Sequence, residues 1–328
     1  MEELAAVFGE KDAGRLVKGT GVKERRIDRS LCTSDLCVAA AEKLISELGW
    51  ERSSIQHLVF ITQSPDYRLP ATSCVIQQRL GLSTDCTAFD VNLGCSGYTY
   101  GIWLTSKLLE PGQRALLLAG DTSSAMVGAE DRSAAPLFGD CGTATAFEFP
   151  ADGDALNEIA FIGGTNGAGH SNIIIPAGGY REKSSPMSCA AQKGADGNLR
   201  TSENLHMNGP EVFSFGIREV PPLIQKCLTL KGWDASEVDA LVFHQANAFM
   251  LSTIASKVGI PMEKVPMSID WYGNTSSASI PLTMTVCLRE ALTHGGAKLL
   301  LAGFGVGWSW AALALQPGPM VMPALVEV

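Results

Sequence analysis

The sequence repeats itself at long range, and this constrains the fold more than any other feature. Gly49-Trp50 returns as Gly232-Trp233, Leu58-Val59-Phe60 as Leu241-Val242-Phe243, and Leu116-Leu117-Leu118-Ala119-Gly120 as Leu299-Leu300-Leu301-Ala302-Gly303, each after the same step of 183 residues. One such match carries little weight, whereas three in one register mark a duplicated unit. In each unit a helix with apolar residues at 3.6 spacing (37–48; 220–230) ends at Gly-Trp. A β-run follows (57–62; 240–244), then a second helix (71–80; 249–258), and later the buried strand ending in Ala-Gly. Strands and helices alternating at this length predict parallel βαβ units. The expected fold is therefore α/β, with two similar halves at 1–150 and 206–328 sharing one core and a site at their junction. Residues 151–205 have no counterpart in the repeat and are rich in Gly, Ser and Asn. The apolar run Ile173 to Ile175, followed by Pro176-Ala-Gly-Gly-Tyr180, favours an ordered flap over the site.

Composition narrows the function. Hydrophobic residues make up 46% and charged residues 18% of 328, a balance that favours a large buried core. A net charge of -9, with no basic run beyond Lys23 to Arg26, argues against a nucleic-acid partner. Residues 1–15 carry charges throughout and have no apolar core of a signal peptide, so the expected location is the cytoplasm. The nine cysteines are scattered, with no CxxC and no histidine at metal spacing; they read as reduced thiols, with no metal site. Leu299 to Leu315 is free of charge, but Gly303, Gly305 and Gly307 at alternate positions suit a tight turn between two buried strands better than a membrane helix.

Four segments could carry chemistry. Cys95 stands between the strand-like run 88–94 and a helix expected over 96–109, which puts its sulfur at a helix N-terminus, where exposed N–H groups favour a thiolate. His244 follows a strand, at the end where parallel sheets place reactive groups, in His244-Gln-Ala-Asn247. Asn274 lies in Gly273-Asn-Thr-Ser-Ser-Ala-Ser279, and the repeat step carries Cys95 to Ala278 in that loop. The Cys elbow and the Asn loop are thus expected to face each other across a pseudo-two-fold axis. Gly303-Phe-Gly-Val-Gly307 is a turn whose glycines permit close backbone approach.

With these segments, together with Thr20-Gly-Val-Lys-Glu-Arg25, Phe138-Gly-Asp140 and Met207-Asn-Gly209, the sequence resembles the thiolase superfamily, and within it the ketoacyl-(acyl carrier protein) synthase III group, in the family's order over almost the whole chain. The resemblance implies a thiolase-like fold layered α-β-α-β-α. It implies a Cys-His-Asn triad of Cys95, His244 and Asn274, and an oxyanion hole from the N–H groups of Cys95 and Val306. It further implies substrate contacts at Leu69, Phe138, Met207, Gly209, Phe213, Gly305 and Gly307. The implied reaction is decarboxylative condensation of an acyl primer on Cys95 with a malonyl-type thioester. Coenzyme A or acyl carrier protein thioesters are the implied substrates, with no permanently bound cofactor, and the implied assembly is a homodimer paired near Phe89 and Val91. Asn274 favours condensation, because relatives that only transfer acyl groups tend to carry a carboxylate there.

Departures from the family concern the substrate. Arg15 and Gly19 stand where an aromatic residue and an arginine usually contact the coenzyme A nucleotide, and Ser214 and Phe249 where basic residues dock the carrier protein. Leu69 replaces a bulky aromatic, which points to a larger primer. The chain begins about where the family's first helix starts, so the opening strand of the first half lacks a counterpart, and 316–328 is the candidate to stand in for it. Two other readings remain: a non-decarboxylating acyltransferase acting on a small molecule, and a silent partner subunit of another synthase.

Overall fold

The computed structural model describes residues 2–151, 159–194 and 196–328, so parts of the expected flap, 152–158 and 195, lie outside the described residues. The first part of the chain contains α1 (Glu2–Phe8), α2 (Glu10–Thr20), α3 (Thr33–Leu48), β1 (His57–Ile61), α4 (Thr72–Arg79), β2 (Thr87–Val91), α5 (Gly97–Leu108), β3 (Arg114–Thr122) and β4 (Asp140–Glu148). Then come β5 (Ala160–Thr165) and the short strands β6 (Ile173–Ile174), β7 (Gln192–Lys193), β8 (Leu199–Arg200) and β9 (His206–Met207). The rest contains α6 (Gly209–Lys231), β10 (Ala240–Phe243), α7 (Ala248–Val258), α8 (Ile269–Tyr272), α9 (Ser279–Cys287), α10 (Arg289–His294), β11 (Leu299–Gly305) and β12 (Ser309–Leu315).

The repeated Gly-Trp pair is a helix stop. Gly49 and Gly232 adopt left-handed φ of 63° and 72°, and the N–H groups of Trp50 and Trp233 reach back to the carbonyls of Ile45 and Leu228. The other repeated segments form neighbouring parallel strands, β1 beside β3 and β10 beside β11. The two main sheets run β2-β1-β3-β4 and β10-β11-β12-β5.

Period-two burial explains why these strands are almost wholly apolar. Leu58, Phe60, Leu116 and Leu118 pack outward under α3 and α4, while Val59, Ile61, Leu117 and Ala119 face inward. In the second sheet Leu241, Phe243, Leu300 and Phe304 pack outward under α6 and α7, and Val242, Leu299 and Leu301 turn inward. Helices α5 and α9 lie between the sheets and touch both. The result is the expected α-β-α-β-α layering.

Three expectations change. The stretch 151–205 is not all insert, because β5 is the outer strand of the second sheet, antiparallel to β12. Its two glycines, which read as loop, make room for aromatic rings: a Cβ on Gly163 would meet the Tyr100 hydroxyl at 2.6 Å and one on Gly164 the Trp310 ring at 2.5 Å. The tail 316–328 forms no strand, so it does not replace a missing one. It is anchored instead to the α10 region, through Met320 N–H to Leu292 O and Arg289 to Met322 O. Among the described residues β4 pairs with β3 alone, so no strand lies along its outer edge. Beside that edge runs a groove of about 1630 Å³, walled by Leu36 and Leu44 of α3, Ile102 of α5, and Met320 and Met322 of the tail. This groove touches none of Cys95, His244 or Asn274. The uncharged stretch 299–315 is the hairpin β11–β12, and no helix among the described residues is long and apolar enough to cross a membrane.

Candidate active site

Cys95 occupies the elbow between β2 and α5, as expected. The turn is tight: Gly97 N–H donates to Gly94 O at 2.7 Å, and a Cβ on Gly97 would strike Ile61. The turn after β11 closes on the sulfur, for a Cβ on Gly305 would lie 2.7 Å from Cys95 Sγ. Glycine at 305 is thus required by the approach to the cysteine itself. The backbone N–H groups of Val306 and of Cys95 act to lower the pKa of the thiol. Burial is stronger and pushes the thiol up to about 11, with the Asp121 carboxylate adding to the rise. The thiolate expected from the helix N-terminus is therefore not the resting form, because desolvation outweighs two N–H groups and a helix end.

His244 directly follows β10, and its N–H donates to Ala302 O of β11 at 2.8 Å. The ring is buried, which lowers its pKa to about 4 and leaves it neutral at pH 7. Nδ1 lies 2.8 Å from Ser279 Oγ, and that hydroxyl donates to Ser276 O at 2.8 Å. Phe304 meets the imidazole edge-on at 6.0 Å.

Asn274 is held by backbone and side chain. Its N–H donates to Leu137 O at 2.8 Å, and its carbonyl accepts from Gly139 N–H at 3.1 Å, which sets Phe138 beside it. Its Oδ1 accepts from Ser276 N–H at 2.9 Å, so the side-chain NH₂ is the end left for a ligand. Ser276 has a left-handed φ of 50°, uncommon outside glycine. Loop 273–279 thereby joins the pieces: it carries Asn274, it holds His244 through Ser279, and Ser276 Oγ would lie 3.3 Å from a Cβ on Gly94 of the Cys95 elbow.

The family described as 3-oxoacyl-(acyl carrier protein) synthase III matches residues 89–163, and its C-terminal part matches 228–316. The chain is 33% identical over 302 residues to the β-ketoacyl-(acyl carrier protein) synthase III of Symbiobacterium thermophilum, covering 91% of this chain and 88% of that protein. It belongs to the synthase III family. Among solved structures, a 3-oxoacyl-(acyl carrier protein) synthase from Burkholderia xenovorans superposes with a TM-score of 0.90 at 43% identity, over 98% of this chain and 91% of that one. The synthase III of Pseudomonas aeruginosa superposes with a TM-score of 0.80 at 29% identity, over 98% and 93%. The fold is accordingly the thiolase fold of this acyltransferase family.

Not every expected contact gathers at the triad. Leu69 is 82% exposed on the loop before α4, so within one chain it lines no primer pocket. Gly209 opens α6 with free space around it, Met207 lies on β9, and Gly307 packs against Ser309. Phe213 stacks on Phe249 at 5.8 Å, forming an aromatic pair at the starts of α6 and α7. Sequence reasoning passed over Ser276, Ser279 and Asp121, although the first two lie inside the quoted loop and the third directly follows a repeated strand.

Proposed function

We propose that this chain condenses an acyl primer, held as a thioester on Cys95, with a malonyl-type thioester, releasing CO₂ and a 3-ketoacyl thioester. The observation that carries this reading is the closure of the Gly305 turn on Cys95, where a Cβ at 305 would lie 2.7 Å from the sulfur, with the N–H groups of Val306 and Cys95 acting on the thiol. Nucleophile and oxyanion donors then lie where the Cys95 elbow meets the turn after β11. In the first half-reaction the Cys95 thiol attacks the primer carbonyl and the donor leaves as a free thiol, an exchange neutral in protons. The two N–H groups stabilise the oxyanion as it forms; one such donor is worth about 2.7–4 kcal/mol in acyl transfer.

In the second half-reaction the malonyl carboxylate leaves as CO₂, and its electron pair becomes an enolate. His244 and Asn274 are neutral hydrogen-bond donors for that oxygen, Asn274 through its side-chain NH₂ and His244 as its Nε2–H tautomer. The enolate carbon attacks the acyl carbonyl, the new C–C bond forms, and Cys95 leaves as thiolate and takes a proton from solvent.

Thioesters of coenzyme A or acyl carrier protein are the substrates, and no bound cofactor is needed. Phe138 flanks Asn274, and Met207, Gly209, Phe213, Gly305 and Gly307 complete the substrate side. The working unit is a cytoplasmic homodimer joined at β2, an edge strand whose Phe89 and Val91 are only partly buried in one chain. Incubation with a panel of acyl thioesters, followed by intact mass, tests the reading. An acyl adduct on wild-type protein but not on Cys95→Ala is expected. No adduct, or equal labelling of Cys95→Ala, refutes it. A non-decarboxylating acyltransferase would form the adduct yet release no CO₂ from a malonyl donor, and a silent subunit would do neither.

A further inference from the structure

Asp121 is fully buried at the end of β3, has no ion-pair partner among the described residues, and lies where the two halves meet. Its two oxygens face opposite sides of that junction. Oδ1 accepts from Gln63 N–H at 2.7 Å, Thr62 Oγ1 at 3.1 Å and Ser64 Oγ at 3.3 Å, all in the first half. Oδ2 accepts from Ser277 Oγ at 2.9 Å and Ser277 N–H at 3.3 Å, on the loop that carries Asn274. Burial pushes the Asp121 carboxyl up, and the hydrogen bonds from Gln63, Ser276 and Ser277 act against that rise. Burying a charge without a counter-ion is costly unless hydrogen bonds replace the water it loses, and its charge also opposes ionisation of Cys95.

We propose that Asp121 is a positioning residue for the enolate donors: it clamps the Ser276–Ser277 turn of the second half to the floor of the first, and so fixes Asn274 and His244 relative to Cys95. The path is short. Ser277 is adjacent to Ser276, whose left-handed backbone directs its N–H onto Asn274 Oδ1 and whose carbonyl takes the Ser279 hydroxyl beside His244. An apolar side chain at 121 would leave the Ser277 N–H without an acceptor and release the turn, and an amide, with one carbonyl oxygen in place of two, would lose the acceptor on one side of the junction.

The inference rests on the condensation reading, and its test separates the two. In Asp121→Asn, acylation of Cys95 is expected within about threefold of wild type while kcat for CO₂ release from a malonyl donor falls about 10²-fold, the scale of losing one oxyanion donor. Ser277→Ala, a milder change, is expected to lose about tenfold in the same step, and the double variant to be no worse than Asp121→Asn, because both act through one contact. Equal loss in both half-reactions alongside a lower melting temperature, additive losses in the double variant, or wild-type CO₂ release would overturn the clamp. Failure of the wild-type protein to acylate Cys95 would instead refute the condensation reading.

Discussion

The two halves set a helix of the central layer at equivalent places and equip it differently. In the first half the elbow after β2 leads into α5 and presents the Cys95 thiol; 183 residues on, Ala278 caps α9 and the chain around it presents an amide, Asn274, and the hydroxyl that holds His244. Duplication supplied one scaffold twice, and on the proposed reading divergence divided the work: the first half would carry the group to be acylated, the second the donors for the enolate. Their outer edges differ as well. The second sheet continues past β12 to β5, whereas the first ends at β4 and its apolar groove.

The strongest way to break this division is at Cys95. Cys95→Ala should lower turnover on the order of 10⁶-fold, the loss found when an acyl-transfer nucleophile is removed, and intact mass should show no primer adduct. Removing a donor sharpens the comparison instead. His244→Ala and Asn274→Ala should keep the adduct but lose about 10²–10³-fold in condensation, read by radiolabelled CO₂ release. Loss of acylation in either variant would mean that the second half also activates the thiol.

A smaller effect concerns stability. Because His244 is neutral when folded, with a pKa near 4 against 6.5 for a free histidine, the unfolded chain binds more protons between those values. Stability should therefore be full above pH 6.5 and fall as pH drops towards 4, by roughly 3 kcal/mol from this group. Urea midpoints of wild type and His244→Gln at pH 7 and pH 4.5 check it, since the variant should lack this share of the slope. The smallest effect is at the edges: amides on the open side of β4 should exchange with deuterium faster than those of β12, which β5 covers.

The apolar repeat made β1, β3, β10 and β11 legible, since strands buried on both faces need continuous apolar runs. Motif segments likewise located the elbow, the turn and the loop. β5 escaped because Gly163 and Gly164 serve Tyr100 and Trp310, partners far away in sequence. Asp121 escaped for a similar reason, as its clamp on Ser277 joins residues in different halves. The state of Cys95 was misread because local position favours thiolate while burial, which depends on the whole fold, favours thiol.

One single-turnover experiment addresses the division of labour directly. Wild-type and Asn274→Ala protein, each first acylated on Cys95 and freed of excess primer, are mixed with a labelled malonyl thioester. The account predicts that both hold the acyl group, that wild type releases CO₂ as the adduct disappears, and that the variant keeps its adduct and releases CO₂ at least about 10²-fold more slowly. Equal CO₂ release from the two proteins would contradict it.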